Sequence, residues 1–126
     1  MIHLDTSFLI RALVPDSRED RKLREWLRAD EPLGMSCVGW AEFLGGPVER
    51  RHFELALDIV GEPDPFDRRD AELAAGLFNR SGRRRGTLSD CMIAASALRA
   101  GGSLATANVD DFRRFASAGL RIMTVV

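Results

Sequence analysis

The 126-residue chain has no tyrosine, two cysteines, two histidines and one lysine, and each scarcity removes a class of chemistry. Cys37 and Cys91 lie far apart, with no CxxC and no Cys/His cluster. That excludes a structural zinc site and indicates no disulfide framework. His3 and His52 would have to serve any Ser-His-Asp or Cys-His mechanism, and neither sits in a recognisable setting for one. Catalytic chemistry, if present, therefore falls to carboxylates. No apolar run approaches the ~18 residues of a membrane span. Asp5 and Arg11 interrupt any signal-peptide core, and no basic segment precedes them. The expectation is a cytoplasmic protein without membrane association. A net charge of −1 gives no global basic field.

The length suits one domain over residues 1–126, able to bury roughly two-thirds of its unfolded surface. Hydrophobic residues at 45% are ordinary for a globular core. The basic residues are arginine except for Lys22, which matches phosphate recognition but equally matches a coding bias. "MIHLD" reads as a strand, followed by a helix with Phe8, Leu9, Ala12 and Leu13 on one face. Ser17 is a candidate cap for "REDRKLREWLRAD". A buried strand is expected near Met35–Val38, then one or two helical turns in "WAEFLGG" and a helix opened by Pro47. Asp67 is the candidate cap of a helix reaching about Asn79, and "RSGRRRG" is a basic connection. "TLSDCMIAASALRAGG" is a helix apolar almost all round, hence buried. "SLATA", "VDDFRRFA" and "LRIMTVV" read as strand, short helix and final strand. Strands alternating with helices give an α/β fold whose parallel sheet is covered on both faces, with ligands beyond the carboxyl ends of the strands.

Most of the nineteen acids have ordinary homes; Glu19, Asp20, Glu25, Asp30 and Glu31 lie among basic partners on a wet helix face. Three do not. Asp5 sits between "MIHL" and "TSFLI", Glu42 inside "GWAEFLG", and Asp90 inside "LSDCMIAASAL", none beside a basic residue. A carboxylate in apolar surroundings is costly unless paired or metal-bound. Each has a structural alternative: Asp5 as the cap of the helix from Thr6, Asp90 as a complement to its helix N-terminus, and Glu42 with the weakest excuse. Together, three acids at one sheet rim would repel one another without a cation. Mg²⁺ takes such oxygens through one or two protein ligands, and the arrangement activates water and clamps a phosphate. "LATANVDDF" adds Asn108, Asp110 and Asp111 at another strand end, with Thr106 supplying a hydroxyl; alternatively Asn108 caps the short helix there.

"HLDTSFLIRAL", "WAEFLGG", "LSDCMIAASAL" and "LATANVDDFRRF", in this order and over essentially the whole chain, resemble the PIN domain, and more narrowly the VapC-type toxin ribonucleases of toxin–antitoxin pairs. The resemblance implies a three-layer α/β/α PIN-like fold around a central, mainly parallel sheet, and a homodimer. It also implies Mg²⁺- or Mn²⁺-dependent cleavage of RNA and inhibition by a cognate VapB-type antitoxin. By motif, Asp5, Glu42 and Asp90 match the family's acidic positions, and Thr6 or Ser7 matches the hydroxyl supporting the first aspartate. The family often has an acid two residues after the threonine of the last strand, where this chain has Asn108, with Asp111 close by. Asparagine can ligate through its carbonyl oxygen but brings no charge, so the site holds one ion or two.

The reading that follows gives Asp5 and Asp90 the metal, and Glu42 with Asn108 or Asp111 the orientation of further waters or a second ion. Arg83, Arg84 and Arg85 are the candidate phosphate contacts, or else an exposed polar loop. Phe8, Trp26 and Trp40 read as core rather than as base-stacking platforms. Two rivals remain. A phosphoacceptor signalling domain needs an acidic pair after the first strand and a late lysine, whereas here Asp5 is followed by Thr6 and the lysine is Lys22. A catalytically silent PIN-like binding partner is kept open by Asn108.

Overall fold

The computed structural model describes residues 1–123 and Val125. Four short strands form one sheet: β1 (Ile2–Leu4), β2 (Leu33–Gly34), β3 (Ser103–Ala105) and β4 (Arg121–Met123). Their order is β2-β1-β3-β4 and every pairing is parallel, so the sheet is wholly rather than mainly parallel. The helices are α1 (Thr6–Ala12), α2 (Arg18–Arg28), α3 (Cys37–Leu44), α4 (Arg50–Val60), α5 (Arg68–Arg80), α6 (Leu88–Arg99) and α7 (Val109–Phe112), the last running into a 3-10 turn over Arg113–Ala118.

Strand periodicity sorts the core into two layers. Ile2, Leu4 and Ala105 point to one face, where they meet Phe8 and Leu9 of α1, Trp26 of α2, Phe43 of α3 and Ala56 of α4. Leu104 and Ile122 point to the other, against Leu77 of α5, Ile93 and Ala94 of α6, and Phe112 and Phe115. The result is the expected three-layer α/β/α arrangement. Among the described residues no helix is long and apolar enough to cross a membrane.

Local chemistry explains where elements begin. Ser17 Oγ accepts the Asp20 backbone N–H and starts α2. Asp67 and Asp70 form a reciprocal capping box at α5, each side chain accepting the other's backbone N–H. The strand expected at Met35–Val38 is displaced, because Ser36 caps α3 by accepting the Gly39 N–H at 3.0 Å. That leaves Leu33–Gly34 as β2, while Met35 and Cys37 bond the backbone of Asp64 instead. The fourth helix begins at Arg50 rather than at Pro47. Glu19 and Asp20 are buried rather than on a wet face: Arg11 donates to Glu19 at 3.2 Å, and Asp20 accepts from Arg24 and from the Asp16 N–H, both at 3.0 Å. Of the final strand expected in "LRIMTVV", Arg121–Met123 is seen, and Thr124 and Val126 lie outside the described residues.

Phe8 is fully buried and stacks on Trp26 with ring centroids 5.5 Å apart, joining α1, α2 and the sheet. Both rings are core, as their spacing suggested. Phe8→Ala should lower the unfolding free energy by about 3–5 kcal/mol, read as a shift of the urea midpoint at unchanged slope.

Candidate active site

Because the strands are parallel, their carboxyl ends share one edge, and the chain leaves β1 and β3 there at Asp5 and Thr106. α6 runs back against β3, which brings its first turn, with Asp90, to the same edge. Asp5 is 5% exposed and occupies the cap position of α1 by backbone conformation, yet its side chain makes no capping bond. The capping alternative for this carboxylate does not hold. Instead its Oδ2 accepts hydrogen bonds from Ser7 Oγ at 2.7 Å and Thr106 Oγ1 at 2.8 Å. Those hydroxyls are themselves placed by backbone: Ser7 Oγ accepts from the Ala107 N–H and Thr106 Oγ1 from the Asn108 N–H, each at 3.0 Å. A hydroxyl has one proton, and here both protons are directed at one carboxylate oxygen.

Glu42, on α3, is exposed at the rim rather than enclosed by its apolar neighbours. Partial desolvation, and then Asp5 and Asp90, push its carboxyl above the ordinary range. Asp90 is half-buried and pushed up by desolvation, then by Asp5 and Asp111, with Arg114 working in the opposite direction. The carboxylates of Asp5, Glu42 and Asp90 therefore lie within electrostatic reach of one another, and Asp111 within reach of Asp90. Among the described residues, no three His, Cys, Asp or Glu side chains converge closely enough to cage an ion outright. The donor set is all oxygen and net negative. It fits a hard divalent cation that keeps several waters, and offers nothing to a metal that selects thiolate or imidazole.

The remaining expected residues fall into distinct places. Thr6 Oγ1 donates to the Gly39 carbonyl at 2.8 Å and ties α1 to α3, so of the two candidate hydroxyls Ser7 is the one supporting Asp5. Asn108 is exposed and its side chain does not cap α7; with Asp111 it lines an open cleft of about 350 Å³. The arginine run splits. All three are exposed, but Arg83 has φ 56°, folds back to donate to Asn79 Oδ1 at 3.0 Å and lies over the Phe78 ring, whereas Arg84 lines a cavity.

One residue at the site escaped the sequence reading. Arg114 brings Nη2 within 3.9 Å of Asp90 Oδ2 while its guanidinium lies over the Phe115 ring at 4.6 Å. Asp90 and Arg114 are remote in sequence, so adjacency could not pair them. The spacing in "DDFRR" puts an arginine three residues after each aspartate, and so points Arg114 to Asp111 rather than to Asp90. Arg113 does pair with Asp110, at 3.1 Å.

The family model described as the PIN domain matches residues 2–118. No curated protein sequence matches the chain. Among solved structures, a toxin–antitoxin complex from Klebsiella pneumoniae shares 22% identity and a TM-score of 0.75, covering 100% of this chain and 98% of that one. VapBC2 from Rickettsia felis, bound to a DNA fragment from its promoter, shares 20% identity and a TM-score of 0.74, covering 98% and 100%. FitAcB from Neisseria gonorrhoeae shares 23% identity and a TM-score of 0.68, covering 98% and 97%. At these identities the likeness to the solved structures is one of fold.

The raised pKa values of Glu42 and Asp90 have a definite sign. An acid whose folded value exceeds its unfolded one favours the fold when protonated; that contribution is complete below the unfolded value and is lost as pH rises through the folded one. In EDTA, wild-type Tm should therefore fall as pH rises above the ordinary carboxylate range. Asp90→Asn should raise Tm near neutral pH by about 2–4 °C and flatten that decline, measured by calorimetry. A lowered Tm in the variant would instead mark Asp90 as a structural partner of Arg114.

Proposed function

The chain belongs to the PIN-domain family, and from that premise we propose that it is a divalent-metal-dependent endoribonuclease, the toxin of a toxin–antitoxin pair. The observation that carries the reading is Asp5: a buried carboxylate pinned through one oxygen by Ser7 and Thr106, at a sheet edge where Glu42, Asp90 and Asp111 add negative charge. A structural acid in such a place would be given a cation from the protein. Among the described residues only Asp90 of these acids has one near it, and at 3.9 Å that contact is not a close ion pair.

Asp5 and Asp90 would hold Mg²⁺, or Mn²⁺ in its place, directly or through water. When bound, such an ion supplies a low-pKa water and neutralises charge on the phosphodiester. The chain's own groups do the rest. Ser7 and Thr106 lock the Asp5 rotamer, so its orientation needs no rearrangement when substrate arrives. Glu42, its carboxyl held above the ordinary range, would take or return a proton at the rim. Asn108 and Asp111, which line one cleft, would offer a carbonyl and a carboxylate oxygen to orient water or help hold a second ion. The whole of residues 1–126 acts here as one domain.

Partners follow from the same reading. The Klebsiella and Rickettsia relatives are toxin–antitoxin complexes, and a VapB-type antitoxin is the corresponding partner here. An apolar groove of about 280 Å³ between α1 and the α3–α4 connection, lined by Ile10, Val14, Phe43 and His52, suits an amphipathic antitoxin segment. A cytoplasmic homodimer completes the proposal. The competing reading, a silent binding module, rests on Asn108 replacing an acid.

An RNA cleavage assay with Mg²⁺ separates the two. Asp5→Asn should reduce turnover by about 10²-fold or more with the circular dichroism spectrum unchanged, and EDTA should abolish it. Thr106→Val, which keeps the shape but removes one proton from Oδ2, should cost about 10–100-fold, expressed partly as a higher Mg²⁺ requirement. Wild-type protein that cuts no RNA in Mg²⁺ or Mn²⁺ would favour the silent module.

A further inference from the structure

Several arginines of this chain are tied to acids: Arg11 to Glu19, Arg24 to Asp20, Arg50 to Glu54, Arg68 to Glu72, and Arg99 to Asp67 and Asp70. One group is assembled differently. Arg80 at the end of α5, Arg84 in the α5–α6 connection and Arg114 in the 3-10 turn come from three segments and wall a single cavity of about 330 Å³, together with Ser81 and Ser117. No carboxylate lines it among the described residues, and neither Arg80 nor Arg84 has an acid within ion-pair distance there.

Arg114 adds a second, independent feature. Its Nε and Nη2 are buried and have no hydrogen-bond partner among the described residues. Buried N–H groups without acceptors are rare in folded proteins, and a guanidinium presents them as a fork that matches phosphate. Arg80 is also positioned rather than free: its Nη1 lies 3.3 Å from where a Cβ on Gly76 would stand. A glycine in the middle of α5 weakens the helix but gives that guanidinium room to fold back along it.

We propose that this arginine-walled cavity is a phosphate subsite that seats the RNA backbone at a nucleotide flanking the scissile bond. The inference rests on the nuclease reading above and extends it, giving the substrate a second anchor beside the acidic rim. Arg114 links the two, since it faces the cavity and also stands 3.9 Å from Asp90. The subsite replaces the undivided Arg83–Arg85 run expected from sequence: Arg84 belongs to it, whereas Arg83 is folded back onto Asn79 and Phe78. A backbone phosphate carries no base identity, so the subsite positions RNA without reading its sequence.

The test is fluorescence anisotropy with a labelled single-stranded RNA in EDTA over a salt series, with every variant built on Asp5→Asn to suppress turnover. Arg80→Gln/Arg84→Gln should weaken binding at least fivefold at low salt and reduce the slope of log K against log salt by about 0.7, the value of one single-strand phosphate contact. Arg68→Gln, on the same helix but paired with Glu72, should match its parent. In the Asp5 enzyme the double variant should raise KM with little change in kcat, the signature of uniform binding. Unchanged affinity and slope in the double variant, an equal loss in Arg68→Gln, or no RNA binding by the parent would each overturn the subsite. Arginine-dependent binding without cleavage in the Asp5 enzyme would overturn the nuclease reading and leave the subsite standing. Cleavage with normal KM in the double variant would do the reverse.

Discussion

Two hydroxyl protons on one carboxylate oxygen hold the working edge of this sheet in register. Ser7 and Thr106 converge on Asp5 Oδ2 from positions 99 residues apart, and the parallel pairing of β1 with β3 makes that possible. Leu4 pairs with Ala105, and the Asp5 N–H bonds the Ala105 carbonyl at 2.9 Å, so the next residues out, Asp5 and Thr106, leave the sheet side by side. A slip of one residue would turn Thr106 to the opposite face and put Leu104 where Ala105 now packs. Alternation of the core thus fixes the hydroxyls, and the hydroxyls fix the acid.

The rim this creates is electrostatically unfavourable by construction. Glu42 and Asp90 both titrate high because burial and neighbouring acids act in the same direction. Such a rim persists only where the surrounding packing over-determines it. Here α6 is held by Ile93, Ala94 and Ala97 against Leu104 and Phe112, and α3 by Phe43 against the opposite layer. Packing free energy elsewhere in the core therefore sustains a charge arrangement that would not assemble by itself.

The parts of this fold legible in sequence are those governed by short-range rules. Ser17 and Asp67 were readable as caps because a cap acts three residues away, and the apolar helix around Asp90 was readable because its composition leaves no wet face. Ser36 reads as strand in sequence, since "MSCVG" suits an extended segment until Ser36 Oγ accepts the Gly39 N–H and starts a helix. Glu19 and Asp20 were assigned to water because their partners, Arg11 and the Asp16 N–H, lie across a turn in which Asp16 adopts φ 64°. The acids of the rim were individually visible as carboxylates in apolar company. Their grouping came from motif order, and the detail that matters most, Asp5 held by Ser7 and Thr106 rather than capping its own helix, is a long-range contact that no local pattern encodes.

Arg114 and Asp90 show why the site is better understood as two incomplete charge sets than as one ion-pair network. Had the chain needed only stability, the unpaired arginines of the α5–α6 connection and the acids of the rim would neutralise one another, as Arg99 does with Asp67 and Asp70 at 3.0 and 2.7 Å. Instead the one bridge between them stops at 3.9 Å, with two guanidinium nitrogens buried and unsatisfied. Among the described residues neither set neutralises the other. On the nuclease reading proposed above, a nucleic-acid phosphate arriving with a divalent ion would supply a cation to the acids and an anion to the arginines at once. On that reading, the same holding-apart would leave both charge sets available to substrate.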